Sequence, residues 1–265
     1  MSDRQPLPSD RTAPTPQLGD ITEAQRREIL RQLNRSRSAG RIFWDWAKSF
    51  VIAVALFLVI RTFLVEAFKI PTGSMERTLL VGDFLLVNKA VYGAEVPFTG
   101  RHLPAIEQPK HGDVIVFEWP EDRTKNFVKR VIGLPGDTLE MRDGQVWRNG
   151  RLLQERYVVH TEPGADPSGE EFRWQRDYLV RRAAASVGYH PSRNNWGPLI
   201  VPPRNLFVLG DNRDNSYDSR YWGFVPDSLV KGQPLIVYYS YERDVAHRFP
   251  WLTNIRWARL GERIR

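Results

Sequence analysis

The alternation of apolar and polar positions divides this 265-residue chain into three textures. The first twenty residues are rich in Pro, Ser and Thr, lack any apolar period and read as a disordered tail. Thr22 to about Arg35 reads as a short polar helix, with Thr22 as its N-cap and no clear core face. The second texture is the charge-free run Ser49–Ile60, whose apolar character continues past Arg61 to Val65. As a helix, Ala47–Val65 is ~28 Å long, about one bilayer hydrocarbon core. Trp44 and Trp46 form an aromatic belt on its N-terminal side, and Lys48 and Arg61 lie where long side chains reach the headgroups. This pattern predicts one transmembrane helix within residues 42–66. A buried core helix and a cleaved signal peptide are the competing readings. Val65-Glu66-Ala67 imitates a small-x-small cleavage site, but a preceding region of 41 residues and the interruption by Arg61 do not suit a signal peptide.

From residue 67 onward the texture changes to short β-branched and aromatic runs separated by turn residues, as in GDVIVFEW, NFVKRVIG, NLFVLGD and QPLIVYYSY. Asp143-Gly144 and Asn149-Gly150 are hairpin turn dipeptides. No long amphipathic helix alternates with these strands, which excludes a doubly wound parallel sheet. The expectation is a mainly β fold: an antiparallel barrel or sandwich-like catalytic domain over 67–265 with a β-rich insertion. The insertion is placed at about 160–203, a polar, Pro/Gly/Arg-rich stretch that reads as an insertion or lid between core strands.

Charge orients this scheme. The formal net charge is +7, and residues 1–41 hold eight Arg against five acids. Arg31, Arg35, Arg37 and Arg41 precede the span with no acid among them, so the positive-inside rule puts the N-terminus in the cytoplasm and 67–265 outside. A nucleic-acid role would need Lys and Arg clustered with stacking aromatics, and no nucleic-acid partner is expected. Near the C-terminus, Phe249-Pro250-Trp251 and Ile255-Arg256-Trp257-Ala258-Arg259 suit either a lipid interface or an ordinary last strand with a basic tail. There is no Cys, hence no thiol nucleophile and no Cys-type zinc site. His102, His111, His160, His190 and His247 are scattered through loop-like sequence, so neither a metal nor a histidine triad is expected, and no cofactor.

Three segments remain as candidates for chemistry. In Phe68-Lys69-Ile70-Pro71-Thr72-Gly73-Ser74-Met75 a Gly permits a tight turn that exposes the serine hydroxyl, although an ordinary loop with a capping Ser has the same sequence. In Asn126–Asp137, strand alternation sets Lys129 on one face with Phe127 and Val131, which suits a buried base or a lysine snorkelling at a sheet edge. In Gly210–Arg220, nine of eleven residues, Tyr217 aside, are polar or charged between apolar runs, which suits an active-site loop, a solvated turn or a cation site.

Joined in this order and spacing, over roughly residues 50–240, the segments resemble the type I signal peptidases, the membrane-anchored leader peptidases of bacteria. The stretches that carry the likeness are VIRTFLVEAFKIPTGSM, GDFLLV, KRVIGLPGD and GDNRDNSYDSRYWGFVP. The resemblance implies Ser74 as nucleophile and Lys129 as general base. It implies an oxyanion hole from the Thr72 hydroxyl and the Ser74 N–H, Ser216 as the residue that orients the lysine, and Asp218 with Arg220 as a supporting ion pair with Arg130 near it. It further implies shallow pockets for small side chains lined by Phe68, Ile70, Leu79, Leu85, Val116, Phe127 and Val128, positions that the sequence itself shows only to be apolar. One departure stands out: Arg77 occupies a position where the family usually has Pro.

A lysine is a base only when neutral, and a solvated one, with a pKa of ~10.4, is under 0.1% neutral at pH 7. Burial beside Phe127 and Val131 would lower that value. From Glu66 to Ser74 is at most ~28 Å of extended chain, so the nucleophile is tethered near the outer membrane boundary. The expected partners are the lipid bilayer and exported preproteins, whose signal segment lies in the bilayer with its small-x-small site just outside. The expected location is the bacterial inner membrane, single-pass. A self-cleaving Ser/Lys repressor shares the catalytic core but needs a DNA-binding domain where the apolar span lies. A membrane-anchored, non-catalytic assembly or binding factor on the same fold is the remaining alternative.

Overall fold

A computed structural model of the chain describes residues 22–35, 39–96, 99, 101–162, 164–180, 188–242 and 248–264, with backbone only for 32–35 and 39. The tail at 1–20, Arg37 and His247 lie outside the described residues. Two compact units result, 1–56 and 57–265.

The first unit is helical. Helix α1 covers Glu23–Arg35. Thr22 and Gln25 form a reciprocal cap at its start: Gln25 N–H donates to the Thr22 hydroxyl (3.4 Å) and Thr22 N–H to the Gln25 side chain (3.1 Å). Helix α2, Ala39–Val59, carries the apolar run and continues into one wider turn at Ile60–Leu64. The segment Gly40–Leu64 is long and apolar enough to cross a membrane by length and composition, with a mean hydropathy of 2.0 and no part buried inside the protein.

In the second unit the strands are β1 Val65–Lys69, β2 Asp83–Asn88, β3 Glu95–Val96, β4 Arg101–His102, β5 Val114–Trp119 and β6 Asp122–Gly133. They continue as β7 Thr138–Arg142, β8 Gln145–Arg148, β9 Arg151–Leu152, β10 Trp196–Ile200 and β11 Asn205–Leu209. The short helix α3, Ser219–Trp222, then precedes β12 Val225–Pro226 and β13 Val230–Ser240, and α4 is Pro250–Thr253. The fold is mainly β. A seven-stranded sheet runs in the order β1-β2-β13-β5-β6-β11-β12, a four-stranded sheet in the order β10-β7-β8-β9, and every strand pairing within them is antiparallel. Both turn dipeptides close hairpins, β7–β8 and β8–β9, and Asp143 and Asn149 hold the positive φ (49° and 53°) that such turns require.

Two long strands build the large sheet. β13 pairs with β5 through Val230 and Gly232, then with β2 from Gln233 to Ser240. At the changeover only glycine fits, since a Cβ on Gly232 would lie 2.3 Å from the Asn88 carbonyl. β6 pairs with β5 along its length and passes its last turn of sequence, Arg130–Gly133, to β11. One apolar cluster, Ile70, Met75, Leu79, Leu85, Val87, Val114, Val116 and Val237, fills the space beneath the β1–β2 end. Full burial of each large aliphatic side chain there contributes roughly 1.5–3 kcal/mol.

The smaller sheet is larger than the stretch 160–203. It begins at Thr138, because β10 comes back to pair with β7 (Trp196 opposite Met141, Leu199 opposite Leu139). Within 160–203 the described residues hold one strand of that sheet, β10, and a 3-10 segment at Glu170–Tyr178. At the C-terminus Arg256 donates to the Val81 carbonyl (2.8 Å) and Arg259 to the buried Asp83 carboxylate (2.6 Å), so these arginines fasten the tail to the domain. Phe249, Trp251 and Trp257 are exposed.

Candidate active site

Strand β1 ends at Lys69 and the chain enters a tight turn. Ile70 closes it at the base: its N–H donates to the Asp83 carbonyl and its own carbonyl accepts from Gly82. Above that base Gly73 accepts from Glu76, and Met75 accepts from Thr78 and Leu79. Met75 and Leu79 point into the core (1% and 0% exposed), which leaves Ser74 facing out at the crest. No backbone carbonyl among the described residues accepts from the Ser74 N–H. Arg77 takes φ +79° in this turn, a conformation closed to proline, whose ring fixes φ near −65°. The turn here is therefore built differently from one with Pro at that position.

Lys129 comes from the middle of β6, opposite Ile115 of β5. Its Nζ lies 2.6 Å from Ser74 Oγ, although 55 residues separate the two in sequence. The side chain is buried, 4% exposed. Removal from water lowers its pKa from 10.5 to about 8; Asp218 and Asp211 act in the opposite sense, and Arg220 reinforces the fall. The lysine amine thus loses its proton more readily than an ordinary one, and it touches a serine hydroxyl.

The third segment locks the other two together. Asp218 forms two hydrogen bonds with Arg220 (2.8 and 2.9 Å), both residues fully buried, and also accepts from Gly210 N–H (3.0 Å). Burial alone would raise the Asp218 carboxyl, but the Arg220 guanidinium and these hydrogen bonds hold it below the usual carboxylate range. Gly210 packs against the crest of the serine turn: a Cβ there would lie 2.2 Å from Ser216 Oγ and 2.5 Å from the Ser74 carbonyl. That carbonyl accepts from Asn212 N–H (3.1 Å), and Asn212 also donates to Glu76 (3.1 Å). Arg130 does not pair with Asp218. It makes a two-pronged pair with Asp211 (2.8 and 2.7 Å), to which the Thr78 hydroxyl also donates. Ser216 is buried, and its hydroxyl makes no hydrogen bond among the described residues, to Lys129 or to any other group.

A cleft of about 280 Å³ opens at this point, lined on one side by Phe68 to Met75 and on the other by Asn126 to Lys129, with Asn215 and Tyr217 at its edge. Phe68, Ile70, Thr72, Ser74, Phe127, Val128 and Lys129 all face it. Leu79, Leu85 and Val116 do not; each is 0% exposed and packs in the core cluster beneath. Among the described residues, none that lines the cleft comes from 160–203. That stretch instead backs the third segment. Trp174 and Gln175 donate to the Arg220 carbonyl, and Arg193 to the Asp214 carbonyl.

Sequence reasoning did not single out Asp211, Asn212, Thr78, Tyr217 or Trp119. The polar density of 210–220 was the available signal for the first two. Trp119 stacks on Phe127 (5.4 Å, 8°) and meets Tyr217 edge-on, an aromatic wall that only the β5–β6 pairing assembles.

Comparison with known proteins bears on this geometry. The family model for signal peptidase, peptidase S26, matches residues 43–239. A signal peptidase I of Pseudomonas aeruginosa is 38% identical over 227 residues, which cover 80% of this chain and 77% of that protein. A signal peptidase I of Pseudomonas fluorescens is 34% identical, covering 86% and 82%. The crystal structure of a signal peptidase I from Enterococcus faecalis is 30% identical and covers 49% of this chain and 98% of its own, with a TM-score of 0.32. The chain belongs to the signal peptidase family, peptidase S26, and within it to the type I signal peptidases of bacteria.

Proposed function

We propose that the protein is a membrane-bound serine endopeptidase that removes signal peptides from exported preproteins at small-x-small sites, with Ser74 as nucleophile and Lys129 as general base. The observation that carries the reading is the 2.6 Å contact between a buried lysine amine and the Ser74 hydroxyl. Neutral Lys129 accepts the hydroxyl proton as Ser74 Oγ attacks the scissile carbonyl. The tetrahedral oxyanion receives hydrogen bonds from the Ser74 N–H, which no backbone carbonyl among the described residues uses, and from the Thr72 hydroxyl. Each such donor is typically worth ~3 kcal/mol. Protonated Lys129 then gives its proton to the leaving amine, and water releases the acyl group with the lysine again as base. Asp218, Arg220 and Arg130 hold the elements that carry the dyad. In this reading Ser216 steers the lysine amine during the reaction, its buried hydroxyl having no hydrogen-bond partner among the described residues.

Phe68, Ile70, Phe127 and Val128 form the apolar sides of the cleft, and the buried Leu79, Leu85 and Val116 support its floor. In an extended substrate alternate side chains point the same way, so two small residues separated by one position enter together. The apolar segment Gly40–Leu64 anchors the enzyme in the inner membrane as one span, with the N-terminus cytoplasmic and the catalytic domain outside. The test is to incubate the detergent-solubilised chain with a preprotein bearing an Ala-x-Ala site and to sequence the new N-terminus. Cleavage after the second Ala is expected, with loss of product in Ser74→Ala, Lys129→Ala and Lys129→Arg. Substantial turnover by any of these three purified variants refutes the dyad.

A further inference from the structure

Helix α1 has no place in the proposed reaction, yet it is specified as a helix of its own. The Thr22–Gln25 cap starts it, and it ends at Arg35, with three residues between it and the start of α2. Ile29 and Leu30 stand 47% and 57% exposed, and position 33, three and four places further on, is again leucine. The three positions fall within one ~100° stripe of the helix. Arg26 falls inside that stripe one turn before Ile29 and Leu30, a place from which its long side chain can run along apolar surface to a headgroup, while Arg27 lies beside the stripe and Glu28 and Arg31 behind it. Between residues 22 and 41 there are six arginines against Glu23 and Glu28, and Glu23 is already paired with Arg27 (3.1 Å). This is an apolar stripe on a basic helix, the composition of a helix that lies in a membrane interface.

Chain length decides what covers the stripe. Trp44 and Trp46, 60% and 74% exposed, mark the start of the apolar segment. From Arg35 to Ala39 the chain can span at most ~14 Å, and Ala39 to Trp44 adds ~7.5 Å of helix. The end of α1 is therefore held within about 20 Å of the tryptophan belt, a headgroup layer's reach. We propose that α1 is an interfacial helix on the leaflet at the N-terminal end of the span, with Ile29 and Leu30 at the headgroup–acyl boundary and its arginines on anionic lipid headgroups. The proposal rests on the reading of Gly40–Leu64 as a span, and adds an anionic-lipid contact on the face of the membrane opposite the catalytic domain.

The chain contains no cysteine, so single labels can be placed cleanly. Ile29→Cys, Leu30→Cys, Glu28→Cys and, within the span, Ile52→Cys are labelled with an environment-sensitive fluorophore. Each full-length variant is reconstituted in nanodiscs of phosphatidylcholine alone or with about one-third phosphatidylglycerol. Lipid-borne and aqueous quenchers then report depth. With phosphatidylglycerol, labels at 29 and 30 are quenched from the lipid and shielded from the aqueous quencher, while the label at 28 stays open to water. Salt near 1 M, where screening acts over ~3 Å, or the triple change Arg26→Gln, Arg27→Gln, Arg31→Gln, reduces that lipid quenching several-fold. Equal water access at 28, 29 and 30, with 52 immersed, overturns the proposal. So does immersion that is the same in both lipids, which removes the anionic contact. Shielding of 29 and 30 from both quenchers means that protein covers the stripe, a second copy or another chain, and also overturns it. A water-accessible label at 52 overturns the span reading itself, and the inference with it.

Discussion

Lys129 should destabilise the fold that it serves. Its pKa lies at about 8 in the folded protein against 10.5 in an ordinary environment, a fall caused first by burial. At ~1.36 kcal/mol per unit, the difference corresponds to ~3 kcal/mol. The sign follows from proton binding: between pH 8 and 10.5 the unfolded chain holds the lysine proton and the folded chain has released it, so stability rises with pH there. Below pH 8 the folded protein carries a buried ammonium and the full ~3 kcal/mol deficit; above 10.5 the deficit is gone. Replacement by a neutral side chain of similar length, Lys129→Met, removes this pH dependence. The variant is expected to be inactive and, at pH 7, more stable than the wild type by ~3 kcal/mol, with the gap narrowing by ~1.4 kcal/mol per pH unit above 8. Urea unfolding of the detergent-solubilised chain from pH 6 to 9.5, followed by tryptophan fluorescence, measures it. The same ionisation sets the acid limb of the wild-type rate: about one lysine in ten is neutral at pH 7 and one in a hundred at pH 6, so kcat/KM rises about ten-fold per pH unit and levels above 9. A stability gap independent of pH, or a rate limb well above 9, would refute the claim that burial tunes this lysine.

Gly210→Ala puts a Cβ within 2.5 Å of the Ser74 carbonyl and must move the serine turn or the loop. A displacement near 1 Å predicts a kcat loss of about 100-fold with the folded state retained by circular dichroism, and a near-normal kcat would show that the loop does not set the serine. Arg77 sits at φ +79°, where a side chain costs ~1–2 kcal/mol, so Arg77→Gly should raise the unfolding midpoint with kcat unchanged and Arg77→Pro should lower it. Arg220→Gln leaves the Asp218 carboxylate buried without its cation, which lowers stability by ~3–5 kcal/mol and moves the acid limb of the rate above pH 8; a limb that falls instead contradicts the assigned electrostatics.

The parts of the fold visible in the sequence were those decided by near neighbours. Asp143-Gly144 and Asn149-Gly150 set their hairpins because a two-residue turn needs positive φ at both residues, a demand local to the turn. The return of β10 to β7 joins Trp196 to Met141 across more than fifty residues, and nothing in either segment announces it. For that reason the stretch 160–203 read as an insertion or lid, although it supplies one of the four strands of a sheet that starts at Thr138. The lining of the cleft was legible only as apolarity. Phe68 and Leu85 face each other across the β1–β2 pair, yet the first lines the cleft and the second is sealed beneath it. A pocket wall and a core position make the same demand on residue type, so the sequence cannot separate them. Arg130 offered a similar ambiguity: three buried carboxylates, Asp211, Asp214 and Asp218, lie in the same loop, and its choice of Asp211 depends on the β6–β11 register.

That pairing bears on why the lysine titrates where it does. Two carboxylates raise the Lys129 pKa, and either one unpaired in a dry interior would stabilise the ammonium and keep the base protonated. Neither is unpaired. Asp218 is held by Arg220 at 2.8 Å and Asp211 by Arg130 at 2.7 Å, all four side chains at most 2% exposed. Arg220 opposes the pull of Asp218 on the lysine, and burial is the dominant influence. The same carboxylates brace the loop: Asp218 holds Gly210, and Asp211 ties the loop to Thr78 of the serine turn. Burial of two ion pairs is a poor way to gain stability, since desolvation offsets much of the attraction. It is an effective way to fix a loop rigidly beside a lysine without charging it, and that requirement accounts for the dense run of acids and arginines at 211–220.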